Sequence, residues 1–289
     1  MSTLFMQITQ THFQDADYPA DLREISSPPT SLYALGKLPK APMVAVVGTR
    51  TLTAYGEAHT YQIALELARA GLVIVSGLAL GVDAIAHRAA LDAGGTTVAV
   101  LACGLDRIYP AQHRQLAKDI LAAGGALVSE YPAGVPPLRH QFVLRNRIIA
   151  GLAVGTLVTE SPEKGGALYT AHKAIEYGRV VMALPGDVGR PTSVGTNNLI
   201  RAGAIPITGS TDVLGALELP TGAIPPARLV SARNPHEAKI IELLQQGVNT
   251  NEQLIEGAQL TPAEFASIIS LMEITGQVRN LSGGVWAPR

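Results

Sequence analysis

The chain alternates short, almost wholly apolar β-branched runs with longer stretches whose apolar residues recur at helical spacing. Strand candidates are Val44–Val47, Leu72–Val75, Thr97–Leu101, Ala126–Val128, Ala153–Thr159 and Val180–Ala183. Helix candidates lie between them at Tyr55–Ala70, Ala84–Ala93, Ala111–Ala123, Phe142–Gly151 and Leu168–Tyr177. Apolar runs without polar alternation suit strands buried on both faces. Their spacing predicts a parallel sheet with right-handed crossovers. Gly71, Gly94-Gly95, Gly124-Gly125 and Gly178 stand where the helices need C-caps. The expected fold over 41–218 is an extended Rossmann-like, doubly wound, mostly parallel α/β sheet.

The flanks read differently. Residues 1–40 carry Pro19, Pro28, Pro29 and Pro39 with little periodicity, which predicts an extended arm packed on the core. Residues 219–235 are too rich in Pro and Gly for either element and form a linker. Beyond it, 236–289 holds one helix through Ile240, Ile241, Leu243 and Leu244, and a second capped by Thr250. A third opens with Thr261 as N-cap, Pro262 at N1 and Glu264 at N3. A hairpin through Gln277–Leu281 and Gly284–Trp286, turning at Ser282-Gly283-Gly284, follows. Three helices and a hairpin predict a small winged-helix domain.

Composition narrows the classes. Hydrophobic residues make up 47% of the chain and aromatics 4%, so the core is aliphatic. No window approaches the roughly 18 apolar residues of a membrane span. Met1 to Asp17 lacks the basic start and apolar stretch of a signal peptide. One cysteine, Cys103, forms no internal disulfide, and a cytoplasmic protein is expected. The net charge of −1 excludes a bulk polycation, so any nucleic-acid site needs locally concentrated charge.

Such a concentration exists. Gly48-Thr49-Arg50 follows the first core strand, and Ser76-Gly77 through Gly81 follows the second. Glycine-rich strand ends that open helices let backbone N–H groups approach an anion, and Arg50 adds a guanidinium where open α/β sheets bind ligands. A structural salt bridge is the other reading of Arg50. Neither loop matches a dinucleotide fingerprint or a P-loop, and no cofactor is called for. Asp83 reads as a helix N-cap, and His87, one turn on, shares its face as an orienting partner or a ligand contact. Arg139, Phe142, Arg145, Asn146 and Arg147 form the densest basic element. Arginines with an aromatic ring suit single-stranded nucleic acid, whose base faces are unpaired, although Phe142 could equally be a core residue. From Arg139 to Arg201 cations exceed carboxylates by about four, Lys164 and Lys173 among them. The histidines show no metal-ligand spacing, and no catalytic constellation is visible.

Read together, Gly48-Thr49-Arg50, Ser76 to Asp83, Gly104-Leu105-Asp106 with Tyr109-Pro110, Ser129-Glu130, Phe142 with Arg145 to Gly151, Thr170-Ala171, Pro185-Gly186 and Gly195-Thr196-Asn197 closely resemble the DprA/Smf DNA-processing family. The resemblance runs from about Tyr18 to Leu217, and the tail is similar to the winged-helix domain of many members. It implies a non-enzymatic, cytoplasmic homodimer that binds single-stranded DNA during natural transformation and helps load RecA recombinase. By motif, Arg50 would grip a phosphate, Phe142 would stand at the base-stacking position, and Arg145, Asn146 and Arg147 would line the strand. Val143 replaces the family's usual Pro, and Gly165-Gly166 its Ser-Gly. The 40 residues ahead of the core are too few for the small helical domain that many members carry.

A competing reading is a nucleotide glycosidic-bond hydrolase of the lysine-decarboxylase-like Rossmann group. That group uses a continuous Pro-Gly-Gly-x-Gly-Thr loop followed by a catalytic Glu. Here Pro185-Gly186 is separated from Gly195-Thr196, and Asn197-Asn198-Leu199 follows instead. A winged-helix transcription regulator needs a basic tail, but Lys239, Arg279 and Arg289 face Glu237, Glu242, Glu252, Glu256, Glu264 and Glu273. An acidic tail repels duplex phosphates and is expected to contact a protein partner or support the dimer.

Overall fold

The computed structural model describes residues 7–219, 235–246, 248–274, 278–282 and 284–288. The chain divides into two units, Met1–Pro225 and Pro226–Arg289. Residues 220–234 of the expected linker lie outside the described residues.

The first unit is a sheet flanked by helices. Its core strands are β3 (Met43–Val47), β4 (Val73–Ser76), β5 (Thr97–Val100), β6 (Ala126–Ser129), β7 (Gly155–Val158), β8 (Val180–Ala183) and β9 (Ile205–Pro206). The helices between and after them are α2 (Ala54–Arg69), α3 (Val82–Asp92), α4 (Arg114–Ala122), α5 (Arg139–Leu152), α6 (Gly166–Glu176), α7 (Val194–Arg201) and α8 (Ser210–Ala216). The strands from β3 to β9 pair in parallel, in the order β6-β5-β4-β3-β7-β8-β9. Every residue of β4, β5, β6 and β7 is buried, because helices cover both faces. Val44 and Val46 pack with Ile63, Leu67 and Ile74 on one face; Ala45 and Val47 pack with Ile148, Ile149 and Val158 on the other. Helices α2, α3, α4 and α6 end at Gly71, Gly94, Gly124 and Gly178, which take the left-handed backbone.

The lead-in is more than an extended arm. β1 (Thr9–His12) and β2 (Ser31–Gly36) pair antiparallel, and β2 pairs antiparallel with β6, extending the sheet to nine strands. Between them the single-turn α1 (Ala20–Arg23) buries Leu22 against the core. Leu32 and Ala34 are buried on one face of β2, while Tyr33 and Leu35 pack half-buried against a core cluster on the other, so the strand carries no apolar–polar alternation.

The second unit contains α9 (Pro235–Gln245), α10 (Asn251–Ala258), α11 (Pro262–Ile274) and the antiparallel pair β10 (Val278–Ser282) and β11 (Val285–Pro288). Ile240, Leu244, Leu254, Phe265, Ile269, Met272 and Trp286 share its core. The capping box forms as the spacing predicts: Thr261 N donates to Glu264 at 2.9 Å, and Glu264 N donates back to Thr261 Oγ1 at 3.3 Å.

Candidate nucleic-acid interface

Chain order makes the crevice. From β3 the chain winds through β4, β5 and β6 on one side, then returns to β7 on the other side of β3. Open α/β sheets bind ligands at such a switch point, outside the carboxyl ends of the strands. A cleft of about 690 Å³ lies there. Gly48, Thr49 and Arg50 line it from the β3 end, Pro162 and Lys164 to Ala167 from the β7 end, and Arg139, Phe142, Val143 and Asn146 from α5.

The loop after β3 is held from both sides. Thr49 N donates to Glu160 O at 2.8 Å, and Thr49 O accepts from Val82 N at 3.2 Å. Gly81 adopts φ +79°, and a Cβ there would collide with the Thr49 carbonyl and the Arg50 backbone. Only glycine fits where these two loops touch. Arg50 therefore leaves a fixed stem. Its guanidinium carbon lies 5.6 Å from the Phe142 ring centroid, and Tyr109 packs on Phe142 at 5.5 Å between centroids.

Arg50, Arg139 and Lys164 are exposed and line this one cleft. Among the described residues none of the three has a carboxylate partner. Arg139 opens α5, whose first turn carries no acid. A cation there opposes the helix dipole at a cost of about 0.3–1 kcal/mol, so helix stability does not explain it.

Other residues expected to hold phosphate are placed differently. Arg145 is 4% exposed; one Nη donates to Val100 O, and a Cβ on Gly77 would fall inside its guanidinium. Burial pulls its pKa down to about 10 against the opposing pull of Asp83. Asp83 is no N-cap: its Oδ2 accepts from Gly77 N at 3.0 Å and Ala79 N at 3.3 Å. Burial raises its carboxyl pKa, while Arg145 and these N–H groups counter the rise. The loop after β4 thus fills its own anion nest. Ser76 is buried and donates to Val46 O at 2.7 Å. His87 does not pair with Asp83; its Nδ1 meets Thr97 Oγ1 at 2.7 Å.

Arg147 pairs with Glu130 and donates to Ser27 O at 2.8 Å. Lys173 pairs with Glu176 at 2.6 Å, and its side chain is not part of the cleft wall. Asn146 does face the cleft, with Nδ2 donating to Gly166 O at 3.2 Å. Helical spacing carried this distinction. Gln141, Arg145, Ile148, Ile149 and Leu152 follow one buried stripe, of which Arg145 and Ile149 also border the floor of the cleft, while Arg139, Phe142, Val143 and Asn146 follow the stripe that faces it.

The sequence alone assigns no role to two contributors, although Tyr109 stands in one of the motifs that carry the family resemblance. Tyr109 is 47% exposed and lines the cleft; its place beside Phe142 depends on tertiary structure. Glu160 is buried and accepts from Thr53 N at 2.9 Å, Thr53 Oγ1 at 3.0 Å and Thr192 Oγ1. It ties the ends of β3, β7 and β8 together. The loops that a hydrolase would use for phosphate are closed internally. Gly186 N donates to Asn197 Oδ1 at 3.2 Å, and Gly195 N donates to Ser161 O at 2.8 Å. Among the described residues no group of His, Cys, Asp or Glu is placed to hold a metal ion, and no helix is long and apolar enough to cross a membrane.

Fold and site define a Rossmann-like α/β protein followed by a winged-helix domain. The chain belongs to the DNA recombination-mediator protein A family, which matches residues 9–218; the DprA winged helix domain matches 224–284. The Smf protein of Escherichia coli is 37% identical over 295 residues, covering 98% of this chain and 79% of that one. The crystal structure of DNA processing protein A from Streptococcus pneumoniae superposes with a TM-score of 0.68 at 41% identity, covering 73% of this chain and 75% of that one. The DNA processing protein A of Helicobacter pylori, described with a unique single-stranded DNA binding mode, superposes with a TM-score of 0.66 at 32% identity, covering 74% and 97%.

Proposed function

We propose that this chain binds single-stranded DNA in the switch-point cleft, as a binding protein rather than an enzyme. The observation that carries this is the grouping of Arg50, Arg139 and Lys164, exposed and without carboxylate partners among the described residues, beside the Tyr109 and Phe142 rings. Three free cations attract a polyanion, and rings add affinity only where base faces are unpaired. A duplex hides those faces. Membership of the family and the single-stranded DNA binding of the Helicobacter relative support the same reading. The resemblance extends it to a cytoplasmic homodimer that protects incoming strands and hands them to RecA. The winged-helix domain, in whose sequence acids outnumber bases, would serve a protein contact.

The test is a titration of labelled oligothymidine and of a duplex of equal length at several salt concentrations. The reading predicts tight, salt-sensitive strand binding with little dependence on sequence, and much weaker duplex binding. Equal affinity for both, or none for either at low salt, contradicts it.

A further inference from the structure

We infer that the Asp83 carboxylate fills a phosphate seat in the wall of the cleft, and that this makes the cleft refuse free mononucleotides. Its preference for a strand over a nucleotide rests on the strand-binding reading; the filled seat does not. The loop after β4 is built as an anion nest. Gly77 N and Ala79 N both donate to Asp83 Oδ2, at 3.0 and 3.3 Å. Between them Leu78 takes the left-handed backbone at φ +57°, a turn of hand that points neighbouring N–H groups at one spot. A non-glycine residue holds that conformation only where its surroundings impose it. Leu78 is fully buried, and its carbonyl accepts from the buried His113 Nδ1 at 2.7 Å. The Arg145 guanidinium lies against the same loop, so close that a Cβ on Gly77 would overlap it.

A nest of N–H groups beside a guanidinium, at a switch point, is the equipment with which a doubly wound fold holds a nucleotide phosphate. Here the first turn of α3 supplies the anion instead. Asp83 is only 6% exposed, yet it borders the cleft together with Ala79 and Arg145. Removing its carboxyl group therefore opens a gap from the cleft to the two N–H groups. With the carboxylate in place those donors are spent, and a second anion meets a fixed negative charge. A free nucleotide has a single phosphate end and loses the seat that would hold it. A strand has many phosphates, and Arg50, Arg139 and Lys164 stand exposed along the same cleft. Several modest contacts on one polymer add up, whereas a nucleotide makes only one of them.

The experiment compares the parent, Asp83→Ala and Asp83→Asn, the last of which keeps the seat filled by an isosteric amide. In one arm, labelled oligothymidine is competed by thymidine 5′-phosphate against sodium chloride of equal ionic strength. The nucleotide displaces the strand from the parent and from Asp83→Asn no better than the salt does. From Asp83→Ala it displaces the strand at a concentration lower by about tenfold or more. In the other arm, thermal melting is followed with sodium formate, whose carboxylate fits the vacated seat. Formate raises the melting temperature of Asp83→Ala by about 1–4 °C beyond equal chloride, and that of the other two proteins not at all. If Asp83→Ala folds only with formate present, the inference stands; if it folds in neither salt, the inference is overturned. Nucleotide displacing the strand from the parent beyond the salt effect, no gain of nucleotide sensitivity in Asp83→Ala, or equal formate effects on all three proteins also overturns it. If the parent binds no oligothymidine, the strand-binding reading falls, and the melting arm alone decides whether Asp83 fills an anion seat.

Discussion

The Arg50 guanidinium carbon lies 5.6 Å from the centroid of the Phe142 ring, from a loop fixed at its base by Gly81. A ring contact of this kind contributes about 0.5–1 kcal/mol at an exposed site and uses none of the five guanidinium donors. The side chain is therefore aimed without being spent. Arg50→Lys keeps the charge but loses the planar fork. It should bind oligothymidine with an affinity between those of the parent and Arg50→Ala. The log–log salt slope should become shallower by about 0.7 in Arg50→Ala and stay unchanged in Arg50→Lys.

Gly81→Ala tests whether the stem matters. At φ +79° an added Cβ meets the Thr49 carbonyl and the Arg50 backbone, so one loop must move. The strain should cost about 1–3 kcal/mol of stability and displace Arg50. Thermal melting and strand binding should both decline. Parent-like binding with an unchanged melting temperature would show that the contact does not set the loop.

Arg145 and Arg50 should part ways. Removing the Arg145 guanidinium takes away its hydrogen bond to Val100 O and the nearby charge that favours the buried Asp83 carboxylate, a loss of about 1–3 kcal/mol. Arg145→Ala should therefore melt roughly 2–12 °C lower, whereas Arg50→Ala should melt like the parent. Lost strand binding at an unchanged melting temperature in Arg145→Ala would assign that residue to the ligand.

Acid should destabilise the first unit through His87. Thr97 Oγ1 donates to Ile74 O at 2.6 Å, so it can only accept from His87 Nδ1, and the buried Nε2 has no partner among the described residues. Burial, with the nearby charges of His113 and Arg145, lowers the His87 pKa to about 3. The folded value lies below the unfolded one of about 6.5. The unfolded chain thus binds the extra proton between these values, and stability present above pH 6.5 is lost as pH falls, by up to about 1.4 kcal/mol per unit. Asp83, whose pKa is raised, contributes the opposite slope near its own titration. Melting temperatures from pH 7.5 to 4.5 should fall in the parent and fall less in His87→Gln. Parallel curves would rule His87 out as the source.

The strands of the core were legible because Val44–Val47 and their counterparts are buried on both faces and so lack polar interruptions. Thr261 and Glu264 marked a helix start by side-chain chemistry that acts within one turn. β1 and β2 were not legible, because β1 is an edge strand of four polar residues and β2 packs apolar side chains on both faces without alternation. In the site, Arg50 was legible from its position at a strand end. Composition does not tell Arg145 and Arg147 from Arg50: Arg145 shares the buried stripe of Ile148, Ile149 and Leu152 and borders the cleft floor, whereas Arg147 meets Glu130 from another part of the chain. Tyr109 joins Phe142 across the fold, and no local signal announces such a meeting.

The central claim is that free cations at the switch point hold a single strand. Its most direct test is anisotropy of a labelled single strand competed by unlabelled duplex, with the parent protein and Arg50→Ala matched for melting temperature. The account predicts tight binding that duplex barely competes and that Arg50→Ala loses. Duplex competing as well as the single strand, or Arg50→Ala binding like the parent, would contradict it.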